Sequence, residues 1–323
     1  MNMLLIVVLG LVGAAVVLFL LGPRERVAPF TAFNDGGIAG DVDAAIAASE
    51  ARFNDIRDGL HKQIIWRDPE AKTRTALSIV YVHGFSASSS ETRPLPDLVA
   101  QALDANIFYT RLSGHGRTGD AMAEATANDW LNDTAEAFAV GKRIGEKVLV
   151  IATSTGATAA AFGAIEPSMR SDLAGMAFIS PNFGVRSAGG EYLTIPWSRR
   201  LVPLALGKQR DFSSDNPAYN HGWTTSYPMV SLIPMMALVK HVRALPFEQA
   251  DVPLMVLHAP DDQVVNPDET RKVYGKWGGP KVWIDVPGTG GASHHVIAGD
   301  IVNPEMTEPL AAKMIEWAKG LTR

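Results

Sequence analysis

No cysteine occurs in the 323 residues. Disulfides, thiolate nucleophiles and cysteine-ligated metals are therefore excluded, although the absence selects no compartment. A basic excess is missing too. Thirty-four acidic residues against 29 basic ones leave a net charge of −5, which gives no electrostatic reason to expect a nucleic-acid partner. The histidines are few, and none stands at ligand spacing with a second histidine or carboxylate on a recognisable helix or loop. No metal and no cofactor is expected. The GTGG at 288–291 begins no helix and is not read as a phosphate loop. No internal repeat or low-complexity tract is visible. Hydrophobic residues make up 47%, enough to bury a core in one large domain with an insertion, or in two domains.

Charge is absent altogether from residues 3–21, MLLIVVLGLVGAAVVLFLL. As a helix this run spans roughly the 30 Å of a bilayer core. It is read as a single-pass anchor within 1–22. The rival is a cleaved signal peptide. Against that reading, the run is long, no Lys or Arg precedes it, and no small-x-small site precedes GPRERV. Arg24 and Arg26 follow the span with Glu25 between them. The positive-inside rule then slightly favours a cytoplasmic location for the rest of the chain. Residues 23–40, with Pro23, Pro29, Gly36, Gly37 and Gly40, read as a linker.

From residue 41 onward, helical and strand-like runs alternate. Asp41 is a candidate N-cap for the Ala-rich stretch after it. ALSIVYVHG, KVLVIA, LAGMAFISP, VPLMVLHAP and KVWIDVPG are continuous apolar runs. LPDLVAQALDA, NDWLNDTAEAFAVGKRIG and TEPLAAKMIEWAKGL have helical spacing. Continuous rather than alternating apolar strands imply a sheet buried on both faces. Their alternation with helices implies parallel crossovers, and so an α/β fold. Residues 184–246 break the rhythm with Pro196, Pro203, Pro217, Pro228 and Pro234 among Trp, Tyr and Met. This segment reads as a cap inserted into the core, which comprises 41–183 and 247–323. In it, Arg199, Arg200, Lys208 and Arg210 read as a solvated face, with contact to an anionic head group as the alternative.

Four short stretches could carry chemistry. In KVLVIATSTGATAAA an apolar run ends at Ser154, and small residues follow. A serine hydroxyl becomes a nucleophile when it projects from a tight strand–helix turn toward a histidine base. The turn needs small residues two before and two after the serine, here Ala152 and Gly156. His83-Gly84-Phe85 closes another apolar run, where backbone N–H groups can face a developing oxyanion. Asp262 in HAPDDQVVNP could orient a histidine. Asp261 is its competitor, and the spacing D-x-V-V favours Asp262, with the two valines packing the following turn. His295 in GASHHVIAGD is preferred to His294, because Val296 and Ile297 after it look like a buried anchor. His115 and His258 read as loop and packing residues. The order Ser154, Asp262, His295, each after a strand-like run, is the order of a hydrolase triad on an α/β pattern.

On these residues the chain from about 70 to 320 resembles the α/β-hydrolase superfamily. It looks like the esterase, monoglyceride lipase and lysophospholipase-like branch. The resemblance lies in HGF at 83–85, SGHG at 113–116, ATSTG at 152–156, DDQVV at 261–265 and HHVI at 294–297. It implies a mostly parallel central sheet with helices on both faces. It also implies a catalytic Ser154–Asp262–His295 triad with oxyanion donors at Phe85 and Thr155. The implied activity is hydrolysis of a small-molecule or lipid ester. Ala152 departs from the usual glycine of the elbow. The alternatives are action on a lactone, thioester or amide, acyl transfer to another acceptor, and a non-catalytic membrane-tethered binding domain.

Overall fold

The computed structural model describes residues 3–38, 40–287, 291 and 293–321. Ala39 of the presumed linker and 288–290 of the GTGG stretch lie outside them. Among the described residues there are nine strands, β1 (Gln63–Ile65), β2 (Thr75–Val82), β3 (Asn106–Tyr109), β4 (Gly145–Thr153), β5 (Leu173–Ile179), β6 (Gln209–Asp211), β7 (Ser226–Pro228), β8 (Leu254–His258) and β9 (Lys281–Asp285). Seven of them form one sheet in the order β1-β3-β2-β4-β5-β8-β9. Every neighbouring pair is parallel except β1 with β3. The helices are α1 (Met3–Leu20), α2 (Val42–Glu50), α3 (Leu95–Ala102), α4 (Ala127–Ile144), α5 (Ser154–Ile165), α6 (Pro167–Arg170), α7 (Ser198–Leu206), α8 (Pro217–Gly222), α9 (Leu232–Arg243), α10 (Pro267–Lys276) and α11 (Pro304–Leu321).

The continuous apolar strands serve two cores. Val80, Val82, Val148, Val150, Ala152, Met176, Phe178 and Val256 face one side, under α4, α5 and α9. Ile79, Tyr81, Leu149, Ile151, Ala177, Ile179 and Leu257 alternate to the other side, under α3 and α11. Local signals fix the helix starts. Asp41 caps α2 by accepting from Ala44 N. Thr126 and Asp129 form a reciprocal capping box on α4, and Asn266 caps α10.

The sheet places the chemistry. Parallel strands present their C-terminal ends along one edge. The loops after β2, β5, β8 and β9 carry His83, Asn182, Asp262 and His295 along that edge, and Ser154 opens α5 directly after β4. Between β5 and β8 the chain makes α7, the antiparallel pair β6–β7, α8 and α9. Buried residues of this stretch, among them Leu193, Val202, Ile233 and Leu238, join the α5 side of the core.

Among the described residues, α1 is the one helix long and apolar enough to cross a membrane, and none of it is buried. The stretch read as a linker does not dangle. Trp197 N donates to Pro23 O at 2.8 Å, and Glu25 pairs with Arg199 at 2.9 Å. Ala28 and Asn128 exchange two hydrogen bonds, and Phe30 meets Phe162 edge to face. This stretch is a strap laid along the body. Its partners lie about 100 or more residues away, so no local pattern announced it.

Candidate active site

Ser154 has a φ of +52°, in the left-handed region a non-glycine residue enters only under constraint. The constraint is the junction of β4 and α5. The turn throws the hydroxyl out of the sheet edge, and two groups clasp it. Asn182 N donates to Ser154 O at 3.0 Å, and Asn182 Nδ2 donates to Thr155 Oγ1 at 3.2 Å. The close approach in the elbow falls at Gly156, where an added Cβ would lie 2.3 Å from His83 O and 2.4 Å from Val82 O. Ala152 sits further back, fully buried between Val82 on β2 and Phe178 on β5. Its methyl is part of the core.

His295 Nε2 lies 2.9 Å from Ser154 Oγ, and His295 Nδ1 lies 2.7 Å from Asp262 Oδ2. A carboxylate on Nδ1–H leaves the Nε2 lone pair facing the hydroxyl, which is the arrangement a general base needs. The second oxygen of Asp262 accepts from Val264 N at 2.7 Å and Val265 N at 3.0 Å. The D-x-V-V spacing thus does more than pack a turn, because both valine amides hold the carboxylate. Arg186 Nη1 donates to Asp262 O at 2.8 Å, and Gln263 N to Ser293 O at 2.9 Å, which ties the acid loop to the histidine loop. The competing residues pair with each other. His294 Nδ1 meets Asp261 Oδ2 at 2.5 Å on the surface, while Asp262 and His295 are buried.

Thr155 is the second residue of α5, where a backbone N–H has no acceptor inside the helix. Phe85 N–H makes no hydrogen bond among the described residues. The Phe85 ring is wedged edge-on against His115, Trp130 and Tyr227. His83 holds this loop to its neighbour. Its Nε2 accepts from Leu112 N at 3.1 Å, so Nδ1–H donates to Gly84 O at 2.9 Å. Burial drives His83 down to about 4 and holds His115 well below the usual histidine value, so both rings are neutral scaffold. His258 is buried and stacked on Trp283.

Two polar groups beside Ser154 carried no motif. Asn182 is the clasp on the elbow, and Glu91 is a buried carboxyl eight residues past His83. Glu91 Oε2 accepts from Gly84 N at 2.6 Å and from the Tyr81 hydroxyl at 3.3 Å. A Cβ at Gly84 would lie 2.7 Å from Glu91 Oε1 and 3.0 Å from Ser154 Cβ, so glycine is required where this acid and the serine converge. Burial pushes the Glu91 carboxyl up to about 7, against the pull of the Gly84 N–H, the nearby His295 and Tyr81.

The stability consequence has a definite sign. Between about 4.5 and about 7 the unfolded chain ionises Glu91 while the folded chain keeps it protonated, so the folded state loses ground as pH rises through that window. Glu91→Gln keeps an acceptor for Gly84 and removes the titration. From about pH 4 to about pH 8, urea unfolding should show the stability difference moving in favour of the variant by on the order of 3 kcal/mol. A difference that does not change with pH would show that Glu91 does not titrate there.

The comparisons agree with this architecture. One similar structure is that of LipS and LipT, two metagenome-derived lipolytic enzymes: TM-score 0.63, 19% identity, covering 82% of this chain and 99% of that one. Another is a monoacylglycerol lipase from Paleococcus ferrophilus, with TM-score 0.60, 14% identity and coverage of 81% and 99%. A third is a soluble variant of monoglyceride lipase from Saccharomyces cerevisiae in complex with a substrate analog, with TM-score 0.60, 14% identity and coverage of 81% and 91%. At such identities they carry the fold alone. A comparison with curated protein sequences finds no match. Residues 73–288 match the family described as Serine aminopeptidase, S33 (Hydrolase_4), and the chain belongs to that family of α/β hydrolases.

Proposed function

We infer that the protein is a serine hydrolase of carboxylic esters, with Ser154 as nucleophile, His295 as base and Asp262 orienting the base. The observation that carries this reading is the unbroken chain Ser154 Oγ–His295 Nε2 at 2.9 Å and His295 Nδ1–Asp262 Oδ2 at 2.7 Å. In the reaction His295 takes the Ser154 proton as Oγ bonds to the ester carbonyl carbon. The carbonyl oxygen becomes an oxyanion facing the Phe85 and Thr155 amides. Collapse breaks the bond to the alcohol, which leaves with the proton from His295. Water then repeats the sequence on the acyl-enzyme and regenerates Ser154.

The substrate reading is an ester with an apolar medium or long acyl chain, such as a monoacylglycerol or lysophospholipid. Residues 184–246 act as its cap. Tyr227 packs on Phe85, Met235 Sδ comes within 3.9 Å of Asn182 Nδ2, and Thr224 N donates to Ser86 O. Apolar, polarizable side chains against the residues that neighbour Ser154 suit an acyl chain. Lipases among the structures of similar fold support the same class. α1 serves as a membrane anchor that keeps the site close to lipid.

A fluorophosphonate probe followed by peptide mapping tests the nucleophile. It is expected to label Ser154. Parallel assays use p-nitrophenyl esters from acetyl to palmitoyl and aminoacyl p-nitroanilides, since the family description names an aminopeptidase. An optimum at medium or long acyl chains supports the ester reading. Faster turnover of the anilides would transfer the site to amide chemistry. A folded protein with neither label nor turnover would make the domain non-catalytic.

A further inference from the structure

The end of α1 meets the body at one place. Trp197 Nε1 donates to Leu18 O at 3.3 Å, and the indole covers Gly22 so closely that a Cβ there would lie 2.0 Å from Nε1. Trp197 itself has a φ of +65°, a strained backbone for an aromatic residue. Arg200 lies over its ring. From this point α7 turns Leu204 and Leu206 outward, 84% and 59% exposed. An indole at the end of an apolar span, beside exposed leucines and arginines, is the composition of a membrane–water boundary.

Between the strap and α9 lies an open depression of about 350 Å³. That is room for on the order of ten waters. Arg24, Arg26 and Lys240 line it, with Glu25, Thr194 and His241. The charges do not cancel internally. Glu25 is engaged by Nε and Nη2 of Arg199. Among the described residues no carboxylate pairs with Arg24, Arg26 or Lys240, and the Lys240 ammonium reaches only Thr194 Oγ1 at 3.4 Å. Burial lowers the His241 value, so its ring is neutral near pH 7 and lends a polar but uncharged wall. All three cations are exposed, so water solvates them in the free protein, whereas insertion of α1 would turn the same three toward the headgroup layer.

The geometry points to a binding site for the phosphate of an anionic bilayer phospholipid, held by Arg24, Arg26 and Lys240 while Trp197 and the exposed α7 leucines rest in the interface. The site is remote in sequence and in role from Ser154, and it rests on reading α1 as membrane-inserted. It would hold the cap side of the body against the bilayer. Anionic headgroups are the occupant because the strap delivers two of the three cations within a few residues of the membrane end of α1. That position is where basic residues select anionic lipid.

The test uses the full chain reconstituted in nanodiscs of phosphatidylcholine with phosphatidylglycerol, released for native mass spectrometry. The parent is expected to retain phosphatidylglycerol over phosphatidylcholine. The R24Q/R26Q/K240Q variant should lose that preference by on the order of 100-fold, and R24K/R26K should keep it. Circular dichroism checks that the variants fold. Equal retention of phosphatidylglycerol by parent and glutamine variant would overturn the site, as would equal retention of both lipids by the parent. Abolition of the adduct by inorganic phosphate would assign the depression to the free anion and overturn the lipid assignment. Alkaline carbonate extraction separates the two readings. A protein that extracts with carbonate refutes the anchor, whereas one that stays in the membrane without a headgroup preference refutes this site alone.

Discussion

Ser154→Ala should lower kcat/KM for p-nitrophenyl esters by about 10⁴- to 10⁶-fold, with KM changed little. The magnitude follows from the geometry. The Ser154 hydroxyl is the group at hydrogen-bond distance from His295 Nε2, and its left-handed backbone and the Asn182 clasp hold it there. Without the hydroxyl no acyl-enzyme forms. Any remaining rate would come from substrate binding and from the Phe85 and Thr155 amides. Asp262→Asn should cost about 10⁴-fold by a different route. An amide nitrogen facing Nδ1 favours the tautomer that puts the proton on Nε2, and the lone pair then no longer faces Ser154. The double variant should be little worse than Ser154→Ala, because the residues act as a unit. A folded Ser154→Ala protein with parental esterase activity would falsify the mechanism.

Gly156→Ala should be the most damaging single methyl that can be added to the elbow. Its Cβ would meet His83 O at 2.3 Å and Val82 O at 2.4 Å. Both are backbone atoms at the end of β2, a strand paired on either side with β3 and β4, so no rotamer can relieve the clash. Either α5 lifts from the sheet or β2 moves. The expected loss of stability is about 3 kcal/mol or more, read by urea unfolding. Activity should fall with it, because the same displacement shifts Ser154 relative to His295. Ala152→Gly is the counterpart. It removes a buried methyl and adds backbone freedom within a strand, for about 1 kcal/mol, and leaves the turn unstrained. Comparable losses for the two variants would show that the close contact does not sit at Gly156.

These variants also mark how far the sequence could be read. Continuous apolar runs announce a doubly covered sheet because each strand must be apolar on both faces, and Val80 with Ile79 shows the two faces in use. The choice of Asp262 and His295 over their neighbours rested on the apolar residues after them, and the chosen pair is the buried one. The small residues around Ser154 suggested a tight turn but not which of them bears the contact. That depends on the backbone of β2, some 70 residues upstream. Glu91, Asn182 and Arg186 were illegible for a related reason. Each matters through hydrogen bonds to residues distant in sequence or across a turn, and no periodicity records such bonds. The contacts of the stretch read as a linker were not legible, because proline and glycine mark an absence of regular structure, which is not an absence of contacts.

On the proposed reading of α1 as an anchor and of a lipid ester as substrate, the strap would set the kinetic regime of the molecule. From Gly22 to Phe30 the chain is fastened to the body at Trp197, Arg199, Asn128 and Phe162, which leaves little free tether beyond α1. With α1 in a bilayer, the catalytic body patrols a thin shell above the membrane and meets substrate by lateral diffusion. Turnover then depends on the mole fraction of ester among the lipids and not on its molar concentration in the sample. Adding buffer to the vesicles leaves the rate per enzyme unchanged, whereas adding inert lipid to the membrane slows it. On that reading the protein would be a two-dimensional catalyst, governed by surface dilution.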